Sequence, residues 1–478
     1  MKLKLKLLFW GRIAVLFTLM GSGCSSQKPF SGSFVEISRE DPRYFCLSNG
    51  DTYIPVGSNI AALGNRAAIE RYVTALADNG ANFGRVWLNS ALFEVETEYG
   101  QLNEEHLSNI DYLLELALRH DLKIKLCIES FRHIRPGRNR WDTKASYHIL
   151  NGGPFENAAE FIATQRGKDE YLRRLAIIRE RVGDHPAVFG WELWNEMNAV
   201  DSPEIREWNE YMLPRVKKMF PKNLVMQSLG SLDRRSSFSI YEDICGMSSN
   251  EVMQIHRYLD CGAELPVCRA PMDSLCSDAV AVLRGYGLKK PLLLAEGGAV
   301  QPDHAGPSLL YPRDTVGMLL HDVIFTPFFC GAAGPGHSWH WDHYIEKNDL
   351  WYHFKRFARA VEGIDPVAER FEPLRSDNGR LKGYALKGRR HLLIWFRDAE
   401  NTWQTEFEEN REPELLSGRE VDLSEFLSGR KIRSVTAYDP WNDVWTEVAA
   451  GKKILLPDFK RSLVVKVSYK QINRILTQ

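Results

Sequence analysis

Two short apolar runs that each end on a glutamate set the terms for how this chain can fold. The first, Ala187-Val188-Phe189-Gly190-Trp191-Glu192-Leu193-Trp194-Asn195-Glu196, follows Asp184-His185-Pro186 and reads as a buried strand that delivers Asn195 and Glu196 where the apolar stretch stops. A hundred residues on, Lys290-Pro291-Leu292-Leu293-Leu294-Ala295-Glu296-Gly297-Gly298 repeats the design, with a carboxylate before two glycines. Strands of this kind alternating with helical stripes predict an α/β chain with a (β/α)8 TIM barrel, in which chemistry sits at the C-terminal ends of the strands. Glu196 and Glu296 are then candidates to face each other across one cleft. A protonated carboxyl and an ionised one suit cleavage of a glycosidic bond: one donates to the leaving oxygen, the other attacks or stabilises the anomeric carbon. A lone glutamate at a strand end is more often a cap or an ion-pair partner. The pair, in this order and with Trp194-Asn195-Glu196, favours catalysis.

The 478 residues exceed the ~250 of a typical barrel, so 34–366 is read as the barrel and 367–478 as a C-terminal all-β sandwich. Lysine plus arginine number 61 against 62 aspartate plus glutamate, which leaves no charge excess for nucleic acid or a broad membrane surface. Residues 1–23 carry three lysines, an apolar run from Leu7 to Met20 broken by Arg12, and small residues before Cys24. That run is too short to span a bilayer and has the order of an export signal. Gly21-Ser22-Gly23-Cys24 resembles a bacterial lipoprotein processing site, with Gly21 where leucine is usual. The resemblance implies lipidation of Cys24 and a place at the cell envelope, periplasm or outer membrane, with the lipid as the membrane contact. Secretion or an uncleaved anchor is the alternative. A monomer is expected.

Seven cysteines remain. Cys127 and Cys330 are expected as small buried groups in barrel strands. Cys261, Cys268 and Cys276 cluster in a chain expected outside the cytoplasm, where one disulfide among them is compatible with the surroundings and the sequence singles out no pair. Their spacing matches no usual zinc pattern.

Along the chain, 34–45 and the Asn49-Gly50-Asp51 turn predict a small cover at the foot of the barrel, and Thr52 to Val56 its first strand. Asn82 to Leu88 is the second, with Arg85 and Trp87 on one side of the alternation. A buried arginine requires a partner, and a catalytic carboxylate is the reading preferred over a structural ion pair. Lys123 to Glu129 is the third strand. Ser130 to Gly167 has no sustained period and reads as a loop over the cleft, carrying Arg132, His133, Trp141 and Tyr147. Leu224 to Leu229 and Glu251 to Tyr258 are the fifth and sixth strands, and the eighth is expected at Cys330 to Gly334. His337, His340 and His343 fall among tryptophans, where a sugar subsite is preferred to a metal site; neither metal nor cofactor is expected. Beyond Pro366 the period changes to two, with strands at 381–386, 390–396, 432–438, 444–448, 453–456 and 462–469. No Gly-x-Ser-x-Gly elbow and no phosphate-binding glycine loop is present, against esterase and nucleotide-binding readings.

These signatures over Phe34 to Pro366 resemble the retaining glycoside hydrolases of clan A, most nearly the cellulase and mannanase-like family 5. The resemblance implies that Glu196 is the acid/base, Glu296 the nucleophile and Asn195 the residue that binds the sugar 2-hydroxyl. It implies Arg85 beside the nucleophile, His256 and Tyr258 as the sixth-strand pair, and Trp339 or Trp341 as an aromatic platform; Trp87 is counted with the substrate-binding residues. The implied substrate is a β-linked polysaccharide or oligosaccharide of the mannan or glucan type. Cys127-Ile128-Glu129-Ser130 departs from the histidine-bearing end of the third strand in cellulase-like members. A surface glycan-binding lipoprotein without hydrolysis is the alternative, and retention of both glutamates with Arg85, Asn195 and Tyr258 argues against it.

Overall fold

Parallel pairing of short strands closes the barrel. The computed structural model describes residues 32–130, 145–200, 202–427 and 429–470. Gly57–Asn59, Phe83–Trp87, Lys123–Glu129, Val188–Trp194 and Leu224–Met226 form five neighbouring strands in chain order, and Met253–Leu259 pairs with Leu292–Ala299. The Glu251 amide donates to the Val225 carbonyl at 3.1 Å, which joins the fifth strand to the sixth. The eighth position is a single parallel bridge between Gly297 and Ser338, and the Asn59 amide donating to the Ser338 carbonyl at 3.1 Å returns the ring to the first strand.

Helices follow the strands because apolar residues recur at helical spacing and polar side chains stop the ends. In Arg66–Asp78, Asn65 caps the first turn by accepting from the Ala68 amide, and Ile69, Val73 and Leu76 are buried against the strands. Glu104–Arg119 has the same design, with Asn103 as cap, Glu104 and Glu105 in the first turn and Arg119 in the last. The helix Met318–Phe329 differs, since every one of its residues is buried.

The outer strands of the barrel differ from expectation at both ends. Thr52–Tyr53 does not open the barrel. It pairs with Phe45–Leu47, which pairs with Val35–Ile37, in a three-stranded antiparallel cover turned at Asn49 to Asp51. Phe45 and Tyr53 pack on Phe189 at the foot, with ring centroids 5.2 and 6.2 Å apart. The first barrel strand is instead Gly57-Ser58-Asn59, which lacks the apolar side chains that mark a strand in sequence. Cys330 is not in a strand either: it caps the C-terminus of Met318–Phe329, and the eighth position lies further on at Ser338. No disulfide joins the three clustered cysteines. Cys268 and Cys276 are buried and Cys261 is exposed, all three free.

From Glu372 on, six strands form one antiparallel sheet, in the order Glu372–Asp377, Leu381–Lys387, His391–Asp398, Ser462–Tyr469, Ile432–Asp439, Val444–Val448. The expectation was a sandwich; the described strands form this one large sheet, with Lys453–Leu455 outside it, paired with Glu420–Asp422 in a two-stranded ladder. Alternation divides the large sheet between two cores. Leu392, Ile394 and Phe396 face that ladder and the helix Ser424–Leu427, while Leu393 and Trp395 join the core of the barrel.

Candidate active site

Arg85 is the hub of the site. It is fully buried in the second strand and its guanidinium makes five hydrogen bonds, matching its five N–H donors. Nε and Nη2 donate to the two oxygens of Glu192 at 2.9 and 2.7 Å, and Nη2 also donates to Asn195 Oδ1 at 2.7 Å. Nη1 donates to Glu296 Oε1 at 2.5 Å and to Asn59 Oδ1 at 3.0 Å. Burial lowers the pKa of the guanidinium, but attraction to Glu192 and then Glu296 more than offsets that and holds it well above its ordinary value.

Glu296 reaches this point through a bulge. The sixth and seventh strands pair Ile255 with Leu294 and His256 with Glu296, so Ala295 is an extra residue that re-aims the next side chain. The freed Ala295 carbonyl accepts from Asn59 Nδ2 at 3.1 Å, so Asn59 ties the bulge to Arg85. The Tyr258 hydroxyl donates to Glu296 Oε2 at 2.6 Å.

Glu196 stands at the other wall, 5 % exposed, with φ of 51°. A non-glycine residue in the left-handed region costs roughly 1–3 kcal/mol, held here by the surrounding contacts. Its amide donates to Ser228 Oγ at 3.1 Å, and the Asn195 amide donates to the Glu129 carbonyl at 2.7 Å. His256 Nδ1 lies between the two carboxylates, 2.9 Å from Glu196 Oε1 and 3.4 Å from Glu296 Oε2. One side-chain atom each from Glu196, His256 and Glu296 fall within 4.8 Å of one another. These three are the one set among the described residues compact enough for a metal ion. Both oxygens of Glu296 already accept hydrogen bonds from Arg85 and Tyr258, so the guanidinium occupies the cation's role there. The arrangement places one carboxyl under a fixed positive charge and a second, beside an imidazole, at the mouth of a cleft.

That mouth opens into a groove of about 1260 Å³ lined by Glu196, Asn198, Ser231, Asp233, Asp260 and His304, among others, from the segments after the fourth to seventh strands. Aromatic side chains follow the second and eighth positions instead. Trp87 and Trp339 lie 5.0 Å apart by ring centroid, and Trp341 packs edge-on to Trp339 at 5.4 Å. Trp339 is partly exposed, as a platform requires, whereas Trp341 is only 5 % exposed and belongs to the core. His337 stacks on Phe83, His340 bonds the Tyr311 hydroxyl at 2.9 Å, and His343 is on the surface beside Asp342, so the three histidines do not converge. Burial lowers both His337 and His340 to about 3.

Sequence patterns alone did not single out Glu192, Lys125, Ser228 or Asn59. Glu192 is a third buried carboxylate; burial would raise it, but Arg85 and Lys125 bring it far below the usual range. A signal was present: Glu192 and Lys125 are charged residues inside apolar strands, as Arg85 is. Tyr147 was expected over the cleft and is instead buried, donating to Glu129 Oε2 at 2.6 Å and stacking on Phe161 at 4.3 Å. Arg132, His133, Trp141 and Cys24 lie outside the described residues.

No family model matches the chain. A mannan endo-1,4-beta-mannosidase 3 of Oryza sativa subsp. japonica is 24 % identical over 170 residues, which are 32 % of this chain and 35 % of that protein. The chain thus spans little more than a third of the length of that curated relative. Among solved structures, one titled glycoside hydrolase superposes with a TM-score of 0.61 over 92 % of this chain and 98 % of its own, at 13 % identity. A glycoside hydrolase family 5 structure from Bacteroides vulgatus ATCC 8482 gives 0.59 over 91 % and 93 %, at 14 % identity. The chain therefore has the fold of solved glycoside hydrolases, one of them of family 5.

Proposed function

We propose that the protein is a retaining β-glycoside hydrolase, similar to family 5, that cleaves a β-linked glycan of the β-1,4-mannan type. The observation that carries this is the closeness of Glu196 and Glu296, with Arg85 and Tyr258 both donating to Glu296. Retention requires carboxyl groups about 5–5.5 Å apart, because one of them must reach the anomeric carbon itself. Mannan is favoured over other β-glycans by the curated relative's name.

In this mechanism the Glu196 carboxyl gives its proton to the glycosidic oxygen as Glu296 attacks the anomeric carbon. The bond to the leaving sugar breaks and a glycosyl ester forms on Glu296. Glu196, now a carboxylate, removes a proton from a water molecule whose oxygen attacks the anomeric carbon and releases Glu296. Arg85 and Tyr258 stabilise Glu296 as the departing carboxylate. Asn195, whose Oδ1 is fixed by Arg85, offers Nδ2 to the sugar 2-hydroxyl; among the described residues Nδ2 is buried without a partner. Trp339 with Trp87 supplies the stacking face, and His256 holds Glu196 in place.

The test begins with a panel of polysaccharides that includes β-1,4-mannan and continues with an activated aryl glycoside of the sugar released. Glu196→Ala should still form the glycosyl intermediate, and azide should restore turnover as the β-glycosyl azide. Glu296→Ala should form no intermediate, with at most the α-azide. The reverse behaviour would exchange the two roles, and wild-type activity in both variants would refute catalysis at this pair. The export signal and a lipid on Cys24 complete the proposal, placing the enzyme at the cell envelope. Cys24→Ala should move the protein from the membrane fraction to the soluble one.

A further inference from the structure

Glu296 is the last member of a buried row of alternating charge: Lys125, Glu192, Arg85, Glu296. All four side chains are fully buried. Glu192 Oε2 is shared between Arg85 Nε at 2.9 Å and Lys125 Nζ at 3.0 Å, while Glu192 Oε1 accepts from Arg85 Nη2 and from Ser228 Oγ. Lys125 donates also to Gln254 Oε1, so its ammonium is fixed from a second strand. One guanidinium therefore faces two carboxylates, and Lys125 is the second cation that balances them.

We propose that Lys125 and Glu192 are positioning residues that set, through Arg85, how much positive charge reaches Glu296. This rests on the hydrolase reading above. Without Lys125 the Glu192 carboxylate has Arg85 as its one remaining cationic partner in the row and draws on it more strongly. Without the charge of Glu192, Arg85 turns its full charge to Glu296, and one repelling carboxylate on the far side of the guanidinium is gone. In a site closed to water such changes are felt over several ångströms.

Among the described residues, the other ionisable groups that face the row are these. Lys125 meets Cys127 on its own strand and His337 from the eighth position; burial pushes the thiol well up and the imidazole down to about 3, so both are uncharged at neutral pH. Glu296 faces Arg85, Tyr258 and His256, with Glu196 beyond. Burial lowers Lys125 to about 8 although Glu192 pulls it upward, so it is charged across the acidic range where the test reads.

The experiment is the pH profile of kcat/KM on 4-nitrophenyl β-mannobioside, whose acid limb reports ionisation of the nucleophile in the free enzyme. Lys125→Met should move that limb to higher pH by roughly half a unit to one unit, and Glu192→Gln should move it lower, both with reduced plateaus. Lys125→Gln, which keeps a hydrogen-bonding group, should shift it in the same direction as Lys125→Met. Thermal melting identifies the folded variants. A merely structural role lowers the plateau and leaves the limb in place; that result, or shifts of the same sign for both charge removals, overturns the proposal. If the unsubstituted protein turns over neither this substrate nor any polysaccharide of the panel, the hydrolase reading falls and takes this inference with it.

Discussion

At the scale of single residues, Asn59 shows how a neutral side chain can serve a charged site. Its Nδ2 donates to the carbonyls of Ala295 and Ser338 at 3.1 and 3.0 Å, and its Oδ1 accepts from Arg85. Removing it leaves buried groups without partners, at about 1–3 kcal/mol for each. Asn59→Ala is expected to lower the melting temperature by several degrees. It should also reduce kcat at least tenfold with KM within a factor of about three, because the bulge and Arg85 act on the transition state. Steady-state kinetics beside a thermal melt checks this; a rise in KM alone would mean that Asn59 serves binding. Asn59 could not be read from sequence, since an asparagine after Gly57-Ser58 resembles any turn. Arg85 was legible because a charge in an apolar strand is costly unless it has a task, and Glu196 and Glu296 because each stands where an apolar run stops. The same rule applied to Glu192 and Lys125, but it gives no partner, and only the three-dimensional register shows that these charges form one row.

At the scale of elements, the strands most visible in sequence are those in the middle of the barrel, whose apolar runs face helices on one side. The first strand is Gly57-Ser58-Asn59 because it must pass close to its neighbour and end in the site. A Cβ on Gly57 would stand 1.9 Å from the Phe83 carbonyl oxygen. The apolar stretch before it, 52–56, drew the expectation of a strand but leads from the cover at the foot. The eighth position makes one bridge, too little for a periodic signal. Gly57→Ala should therefore force the first two strands apart and destabilise the protein by about 3 kcal/mol or more, beyond the usual cost of overpacking. Urea denaturation measures this, and a loss under ~1 kcal/mol would show that the strands can separate without harm. The helix Met318–Phe329 is buried on all sides, and an apolar helix of this kind needs a second layer outside it.

At the scale of the whole molecule, that second layer is the C-terminal sheet. Leu386, Leu393, Trp395, Tyr438 and Val464 belong to the same core as Leu319, Phe325, Phe328 and Phe329. Trp395 is fully buried, with ring centroids 6.0 Å from Phe325 and 6.4 Å from Phe329. Polar contacts fix the register of this interface. Arg397 donates to both oxygens of Asp322 at 2.9 and 3.2 Å, the Tyr384 hydroxyl to Asp273 at 2.7 Å, and Ser462 Oγ meets His321 Nε2 at 2.8 Å. Such pairs add little net stability, but losing one partner strands a buried charge. The helix so braced follows the strand that carries Glu296, so the sheet supports the site from behind. Barrel and sheet should accordingly unfold together. Calorimetry of the full chain is expected to give one transition, and Trp395→Ala, which opens a cavity on both sides of the seam, should lower stability by about 3–5 kcal/mol while the single transition persists. Two separated transitions, with Trp395→Ala shifting only the one assigned to the sheet, would mean that the barrel holds its outer helix without this cover.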